Sequence, residues 1–473
     1  MSEPMLPDLE QLILRQRQFF AGGKTKDLAF RKQQLQKLGA ALSKHADLIM
    51  SALEQDLGKS KFEAYSSEIL FCLQELKYTL KHLQNWAKPQ PVSVGSPLLL
   101  FSRAYVQPEP LGVALIIAPW NYPVQLAILP LIGAIAAGNC AILKPSEIAG
   151  QTSGAIATLI ADCFEPQYVA VVEGGIETSQ ALLTQQFDHI FFTGGTEVGR
   201  IVMAAAAKHL TPVTLELGGK SPCIVAADSA IAYTAEKIVW GKFFNAGQTC
   251  IAPDYVLVAR SRKAELIAAM NRAITQFYSA QPQTSPDYGR IVSFKHFARL
   301  SGLIEACRTA PCEIIIGGET DALSRYIAPT LVDCQDLPTA ANLKIMESEI
   351  FGPILPVVTY EELDQAIAYI NQQPKPLALY LFSDDQPTHT QVLSQTSSGS
   401  SCINNLILQS GVPDLPFGGV GASGMGSYHG KYSFRCFSHY KSVLKSPSWL
   451  KLRWLYPPYR ADLVAWIQRL ISV

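Results

Sequence analysis

The sequence has no excess charge of either sign: 39 Lys and Arg stand against 39 Asp and Glu. Nothing in that balance attracts a polyanion, so no nucleic-acid partner is expected. Around the 10 cysteines, at positions 72, 140, 163, 223, 250, 307, 312, 334, 402 and 436, there is no Cys-x-x-Cys pair and no histidine at zinc spacing. A metal site is therefore not expected, and thiols scattered in this way fit a reducing compartment in which most are small core residues. The opening Met1-Ser2-Glu3-Pro4-Met5-Leu6-Pro7-Asp8 lacks the basic flank and apolar run of a secretory signal. We expect a cytoplasmic protein. Fixed-period repeats and low-complexity stretches are missing as well.

Charge is also absent from one long segment, Pro110 to Leu143, which has the length and hydropathy of a membrane span. Pro119, Asn121, Pro123, Pro130 and Asn139 interrupt it. It divides into a strand over 113–117, a polar loop, a helix over 124–137 and a strand over 140–143, the pattern of strands buried on both faces.

What is present describes a globular protein with an ample core: 473 residues, 48% hydrophobic and 16% charged, enough for about two or three domains. Residues from about 8 to 87 read as helices, with Leu73, Leu76, Leu80 and Leu83 at helical spacing. The segment 91–106, around Leu98-Leu99-Leu100-Phe101, breaks this pattern as an extended arm or hairpin available to another subunit. Strands over 168–172, 189–192 and 213–216 then alternate with helices near 177–184 and 196–209. A second series takes in 223–225, 255–258, 313–316, 354–358 and 377–382. Two α/β domains follow, the first with a parallel sheet of the dinucleotide-binding kind.

The chemistry centres on Phe243-Phe-Asn-Ala-Gly-Gln-Thr-Cys250, where a thiol follows a helix and precedes a strand on a tight loop. Thirty-four residues upstream, Glu216 lies among apolar residues and glycines in Leu-Glu-Leu-Gly-Gly-Lys-Ser-Pro. Such surroundings push a carboxyl towards a pKa useful to a general base. Taken alone, a thiol such as Cys250 is more often a core residue, and a carboxyl such as Glu216 more often a salt-bridged structural one. Asn121, in Pro119-Trp-Asn-Tyr-Pro123, is either an oxyanion donor or a turn-capping amide. Lys144 and Glu147 end a buried strand, where they either bind a ribose or form an exposed strand end. In the ribose reading, Glu147 repels a 2′-phosphate and favours NAD over NADP. Phe192-Thr-Gly194-Gly195-Thr196 with Gly199 places glycines where a strand meets a helix, as a pyrophosphate site or a plain turn. Gly419-Val-Gly-Ala-Ser-Gly424 matches the dinucleotide fingerprint literally, but follows no strand and reads as a structural loop.

In combination these motifs, with Glu349-Ile-Phe-Gly-Pro353, resemble the aldehyde dehydrogenase superfamily from the first helices to about Ser442. The segment from Gln248 to Tyr255 is most similar to the class 3 and fatty aldehyde dehydrogenase branch. The resemblance implies an α/β fold: a Rossmann-type NAD-binding domain (1–90 and 109–217), a second α/β catalytic domain (218–400), and a β oligomerisation arm (91–108 and 401–445). It implies Cys250 as nucleophile, Glu216 as general base, Asn121 as oxyanion donor and Tyr122 as a substrate contact. Lys144 and Glu147 would hold the adenosine ribose, with Gly194, Gly195, Thr196 and Gly199 near the pyrophosphate. Glu349 would hold the nicotinamide ribose and Phe351 pack near its ring. Gly195 departs from relatives that carry a side chain there.

The implied reaction is NAD-dependent oxidation, with NADP as a possible substitute, of a medium- to long-chain or otherwise apolar aldehyde to its acid through a Cys250 thioester. A homodimer is expected. Beyond 446 the tail carries one apolar helical face, Leu463, Val464, Trp466, Ile467, Leu470 and Ile471. It reads as a membrane-surface helix, a substrate-tunnel cap or a helix packed on its own domain. Two other functions compete: a coenzyme-A-acylating relative, against which Glu216 argues, and a catalytically silent binding scaffold, against which Cys250, Glu216, Asn121 and Glu349 together argue.

Overall fold

The computed structural model describes residues 8–95, 99, 101–451, 453–459, 464 and 468. Leu98, Leu100 and the apolar face expected over 463–471, Val464 apart, lie outside them. Helices occupy the chain from Leu9 to Trp86, and a three-stranded antiparallel arm follows: β1 (Gln90–Val92) pairs with β2 (Arg103–Pro110), and β2 with a strand near the C-terminus. Of the two forms expected over 91–106, the described residues 91–92 and 104–106 pair as the strands of a hairpin.

The uncharged segment from Pro110 to Leu143 folds as two buried strands around a buried helix. In β3 (Val113–Ile117) every residue is buried, as in β4 (Cys140–Lys144). Between them the helix Gln125–Ala137 buries all but Gln125 and contains Pro130. An interior proline costs about 3 kcal/mol, comparable with what burying one or two large aliphatic side chains returns. Ile128, Leu129, Leu131 and Ile132 around it are all 0% exposed. No helix among the described residues is long and apolar enough to cross a membrane.

The first sheet continues with β5 (Val169–Val171), β6 (His189–Thr193) and β7 (Val213–Glu216), in the spatial order β7-β6-β3-β4-β5 with every pair parallel. Chain order thus runs outwards from β3 in one direction, then resumes on its other side. That is the doubly wound arrangement, with its switch point between β3 and β6. Five residues after β7 the second sheet opens with β8 (Pro222–Val225) and takes in β9 (Tyr255–Ala259) and β10 (Glu313–Ile316). A small hairpin of β11 (Thr320–Asp321) and β12 (Tyr326–Ile327) stands apart. β13 (Thr330–Asp336), β14 (Ile354–Tyr360), β15 (Ala378–Phe382) and β16 (Ser400–Ile403) complete the second sheet in the order β10-β13-β14-β9-β8-β15-β16.

Two details depart from the sequence reading. Residues 401–403, grouped with the arm, pair in parallel with β15, because Leu377 O and Pro376 O capture the N–H groups of Ser400 and Gly399 and start the ladder. The glycine loop of 419–424 ends in β17 (Gly424–Met425), which lies antiparallel on the edge of β7 with Gly424 opposite Glu216. The last strand, β18 (Ser438–Lys445), closes the arm against β2.

Candidate active site

Parallel pairing brings the motifs into one row. The register sets Ile117 beside Lys144 and Phe192, and Thr193 beside Glu216. The carboxyl ends of β4, β3, β6 and β7 therefore line up across roughly 14 Å, at about 4.8 Å per strand. Lys144, the loop to Asn121, the Gly194-Gly195 turn and Glu216 all project from this edge. It is the edge on which open α/β sheets bind ligands, and the switch point lies in its middle.

Cys250 arrives from the second sheet on a turn with an unusual backbone. Asn245, Ala246 and Gly247 have φ of 51°, 51° and 74°, a left-handed run that costs an L residue such as Ala about 1–2 kcal/mol. Side chains hold it. Asn245 Nδ2 donates to Asn121 O (2.8 Å) and Gln248 O (3.1 Å). Gln248 Nε2 donates to Asn245 O and Arg290 O (both 3.0 Å), while its Oε1 accepts from Val292 N (3.0 Å). Gly247 is required by contact as well as by φ, since a Cβ there would lie 2.3 Å from Gly352 O. The Glu349–Pro353 motif is thus seated directly on the Cys250 turn.

Asn121, only 3% exposed, donates its side-chain N–H to Gln248 O (3.1 Å). Its neighbour Tyr122 shares a hydrogen bond with Thr249 Oγ1 (2.6 Å). The Pro-Trp-Asn-Tyr-Pro loop and the Cys250 turn are therefore bonded together, although well over a hundred residues separate them. Burial, then the nearby Glu349 and Glu216 carboxylates, push the Cys250 thiol up to about 12, while the backbone N–H groups of Cys250 and Ile251 pull the other way.

Glu216 is buried, and neither of its carboxyl oxygens has a hydrogen-bond partner among the described residues. Burial raises its pKa well above the ordinary carboxylate range. A structural carboxylate spends its charge on donors; this one has none, which is the condition of a strong base held in reserve.

Glu349 fits against Gly218, where a Cβ would lie 2.1 Å from its Oε2. Burial and Asp254 push Glu349 up to about 8, opposed by the Gly219 N–H, Lys220 and Lys242. Its position is set by a clamp that the motif reading did not anticipate. Lys220 Nζ donates to Asp254 Oδ2 (2.6 Å), Ile345 O (2.8 Å) and Ser348 O (3.2 Å), and Asp254 Oδ1 accepts from Ile350 N (3.0 Å). Lys242, on the helix leading to Cys250, is fully buried with no hydrogen-bond partner for Nζ among the described residues, and burial lowers it to about 8.

The glycines of the β6 turn divide their roles. Gly194 N donates to Glu216 O (3.0 Å), so this N–H extends the sheet and is not free for a phosphate. Gly199 faces Leu217, whose Cδ2 would be 2.6 Å from a Cβ, and so spaces helix against strand. Gly195 is the open position, with nothing within 4 Å of a Cβ, and it starts the helix Thr196–Ala207 without a side-chain cap. The first N–H groups of that helix have no side-chain cap, the geometry that an anion can use at a helix start. Thr196 Oγ1 bonds Ala422 O (3.3 Å). Lys144 Nζ meets Glu147 Oε2 at 2.6 Å at the far end of the row. Phe351, with φ 48°, packs edge-on against Trp120 at 5.3 Å.

Cys250 lines a cavity of about 340 Å³ whose other walls include Phe71, Tyr122, Trp240, Phe244, Ile407 and Phe417. None of the residues lining it is Lys, Arg, Asp or Glu. Tyr122, the expected substrate contact, reaches the cavity from the Pro-Trp-Asn-Tyr-Pro loop, and Phe244 belongs to the stretch leading to Cys250; the other walls come from segments far apart in the chain and carry no local motif.

The sequence model of the aldehyde dehydrogenase family matches residues 8–443. The 4,4'-diaponeurosporen-aldehyde dehydrogenase of Staphylococcus aureus is 49% identical over 453 residues, 96% of this chain and 97% of its own. Aldehyde dehydrogenase family 3 member B3 of Mus musculus is 50% identical over 463 residues, 97% of this chain and 94% of its own. A solved structure described as the substrate-bound state of Staphylococcus aureus AldH superposes with a TM-score of 0.94 at 47% identity, covering 98% of this chain and 99% of that one. An NAD-dependent aldehyde dehydrogenase from Sinorhizobium meliloti gives 0.85 at 28%, covering 94% and 88%. Matched along nearly its whole length at close to half identity, the chain belongs to the aldehyde dehydrogenase family.

Proposed function

We propose that the protein oxidises apolar aldehydes to carboxylic acids with NAD, using Cys250 as nucleophile, Asn121 as oxyanion donor and Glu216 as general base. The observation that carries this reading is a thiol, Cys250, that lines an apolar cavity on a turn hydrogen-bonded to the buried Asn121 amide and that feels the charge of Glu216, a buried carboxyl with no hydrogen-bond partner among the described residues.

Cys250 first gives its thiol proton to solvent water; the thiolate Sγ then adds to the aldehyde carbon, and the carbonyl oxygen takes up negative charge. Asn121 has two amide N–H groups and spends one on Gln248 O; the second, with the Cys250 backbone N–H, is available to that oxygen. One such donor is typically worth about 3 kcal/mol in the transition state. The nicotinamide group, when bound, supplies the hydride acceptor that makes oxidation to a thioester possible. Glu216 then removes a proton from water as the oxygen attacks the thioester carbon. The acid leaves and Cys250 is restored.

The residues at the sheet edge fit such a cofactor. The uncapped helix at Thr196 suits a pyrophosphate, Lys144 with Glu147 suits one ribose, and Glu349, with room made by Gly218, suits the other. Glu147 at the ribose position favours NAD over NADP by repelling a 2′-phosphate.

The cavity supports medium- to long-chain substrates. Measured by NADH absorbance, kcat/KM should rise about fourfold per added methylene until the cavity is filled, the size of effect expected from about 0.8 kcal/mol per buried CH₂. A flat series, or a preference for charged aldehydes, would count against the reading. The arm of β1, β2 and β18 supports a homodimer, since β18 is a sheet edge with Leu444 53% exposed. Light scattering should give twice 51.6 kDa; a monomer at micromolar concentration ends that assignment.

A further inference from the structure

We infer that Lys59 and Glu68 are positioning residues for the Asn121 amide, acting through the backbone of the loop that carries it; this rests on the oxyanion role proposed for Asn121. Both side chains are completely buried and paired at 2.7 Å. Lys59 precedes the short helix Lys61–Ala64, and Glu68 lies on the π-helical turn Tyr65–Leu70 that continues it. Neither touches the cavity, and neither belongs to a motif of the active site.

Their remaining polar contacts converge on one segment. Lys59 Nζ donates to Asn121 O (3.1 Å) and stands 4.0 Å from the centre of the Tyr122 ring. Glu68 Oε2 accepts from Val124 N (3.0 Å) and Gln125 N (2.9 Å), at the start of the helix Gln125–Ala137. Asn121 O is gripped from the other side by Asn245 Nδ2 (2.8 Å), out of the Cys250 turn. Cation, anion and turn together fix the peptide groups from 121 to 125, and with them the direction of the Asn121 side chain relative to Cys250.

The alternative is that the pair merely stabilises the core. Apolar side chains of the same volume usually do that as well or better, because two charges must be stripped of water. They could not hold a carbonyl and two N–H groups in fixed directions. Direction is what an oxyanion donor needs, since a misplacement of about 1 Å can cost up to about 100-fold in rate. Without the Lys59 ammonium, Asn121 O keeps only Asn245, and the loop gains freedom at the peptide that sets the donor.

The experiment is a double-mutant cycle read by the single-turnover burst of NADH at saturating aldehyde and NAD. Lys59→Met should slow the burst about tenfold or more, with the Kd for NAD unchanged and part of the rate restored in Lys59→Arg. Lys59→Met/Glu68→Gln, which removes both charges at nearly constant volume, gives the same reading if the single variant does not fold. In an Asn121→Ala background the Lys59 change should cost less than about twofold, because the group it positions is already gone. A wild-type burst in folded Lys59→Met or in the neutral pair overturns the inference, as does an equal loss with and without Asn121. An Asn121→Ala enzyme that bursts at the wild-type rate sinks the oxyanion reading and this inference together. A slow Asn121→Ala beside a normal Lys59 variant overturns this inference alone.

Discussion

Cys250→Ala lowers aldehyde-dependent NADH formation on the order of 10⁴-fold or more, the scale on which loss of a covalent nucleophile is felt. All ten cysteines are free, but among those described only Cys250 lines the cavity. The fold does make a cysteine–histidine contact, and it is not this one. Cys436 Sγ lies 3.5 Å from His189 Nε2, which also meets Thr214 Oγ1 at 3.1 Å. Burial pushes Cys436 up to about 12 and His189 down to about 4, so the imidazole is a poor base for a thiol that resists ionisation. Cys436→Ala is therefore expected to keep the wild-type rate. Steady-state NADH formation decides between the two: activity surviving in Cys250→Ala, or lost in a folded Cys436→Ala, would end the assignment of Cys250. Thermal midpoints distinguish lost chemistry from lost fold, since removing one half-buried thiol costs only about 1 kcal/mol.

How much of this was legible in the chain depended on how far apart the interacting groups lie. Strands such as 113–117, 140–143 and 354–358 could be read because burial on both faces leaves an uninterrupted apolar run. The parallel order followed from their alternation with helices. Cys250, Glu216 and Asn121 were legible because each sits in a local frame of glycine, proline or amide residues that only a tight turn needs. The use of individual backbone groups was not legible: Gly194 looked like a phosphate loop, and its N–H completes the sheet at Glu216 O. Supporting side chains were also hidden. Lys59 and Glu68 resemble ordinary helix-surface charges in the sequence, and only the packing of 59–68 against 121–125 buries them. Lys220 was quoted within a motif, but its partner Asp254 and its hold on Ile345 O and Ser348 O arise from the meeting of β8, β9 and the loop before β14. Residues that touch the reaction carry local signals; residues that aim them depend on tertiary packing.

Glu216→Gln should leave the burst of NADH intact and cut steady-state turnover by about 10²- to 10⁴-fold, the range for a lost general base. Addition to the aldehyde and loss of hydride need the Cys250 thiolate, whose proton leaves to solvent, and the oxyanion donors; attack of water on the thioester needs a base held beside it, so the acyl-enzyme accumulates and is visible by mass as an adduct on Cys250. Unchanged turnover would remove Glu216 from the mechanism. A second, independent readout comes from stability. Burial, with no hydrogen-bond partner among the described residues, raises the Glu216 carboxyl above its ordinary range, so above the ordinary carboxylate value the folded protein keeps a proton there that the unfolded chain has released, until pH passes the elevated value. Folding stability from this group is then present at acid pH and is lost as pH rises from the ordinary carboxylate value through the elevated one. Glutamine cannot ionise and removes that slope. Thermal midpoints of Glu216→Gln and wild type should differ least at about pH 4 and separate in favour of the variant as pH rises above the ordinary carboxylate value. A constant gap across that range would mean that Glu216 is ionised in the folded enzyme throughout, leaving the base without the poor solvation on which its strength depends.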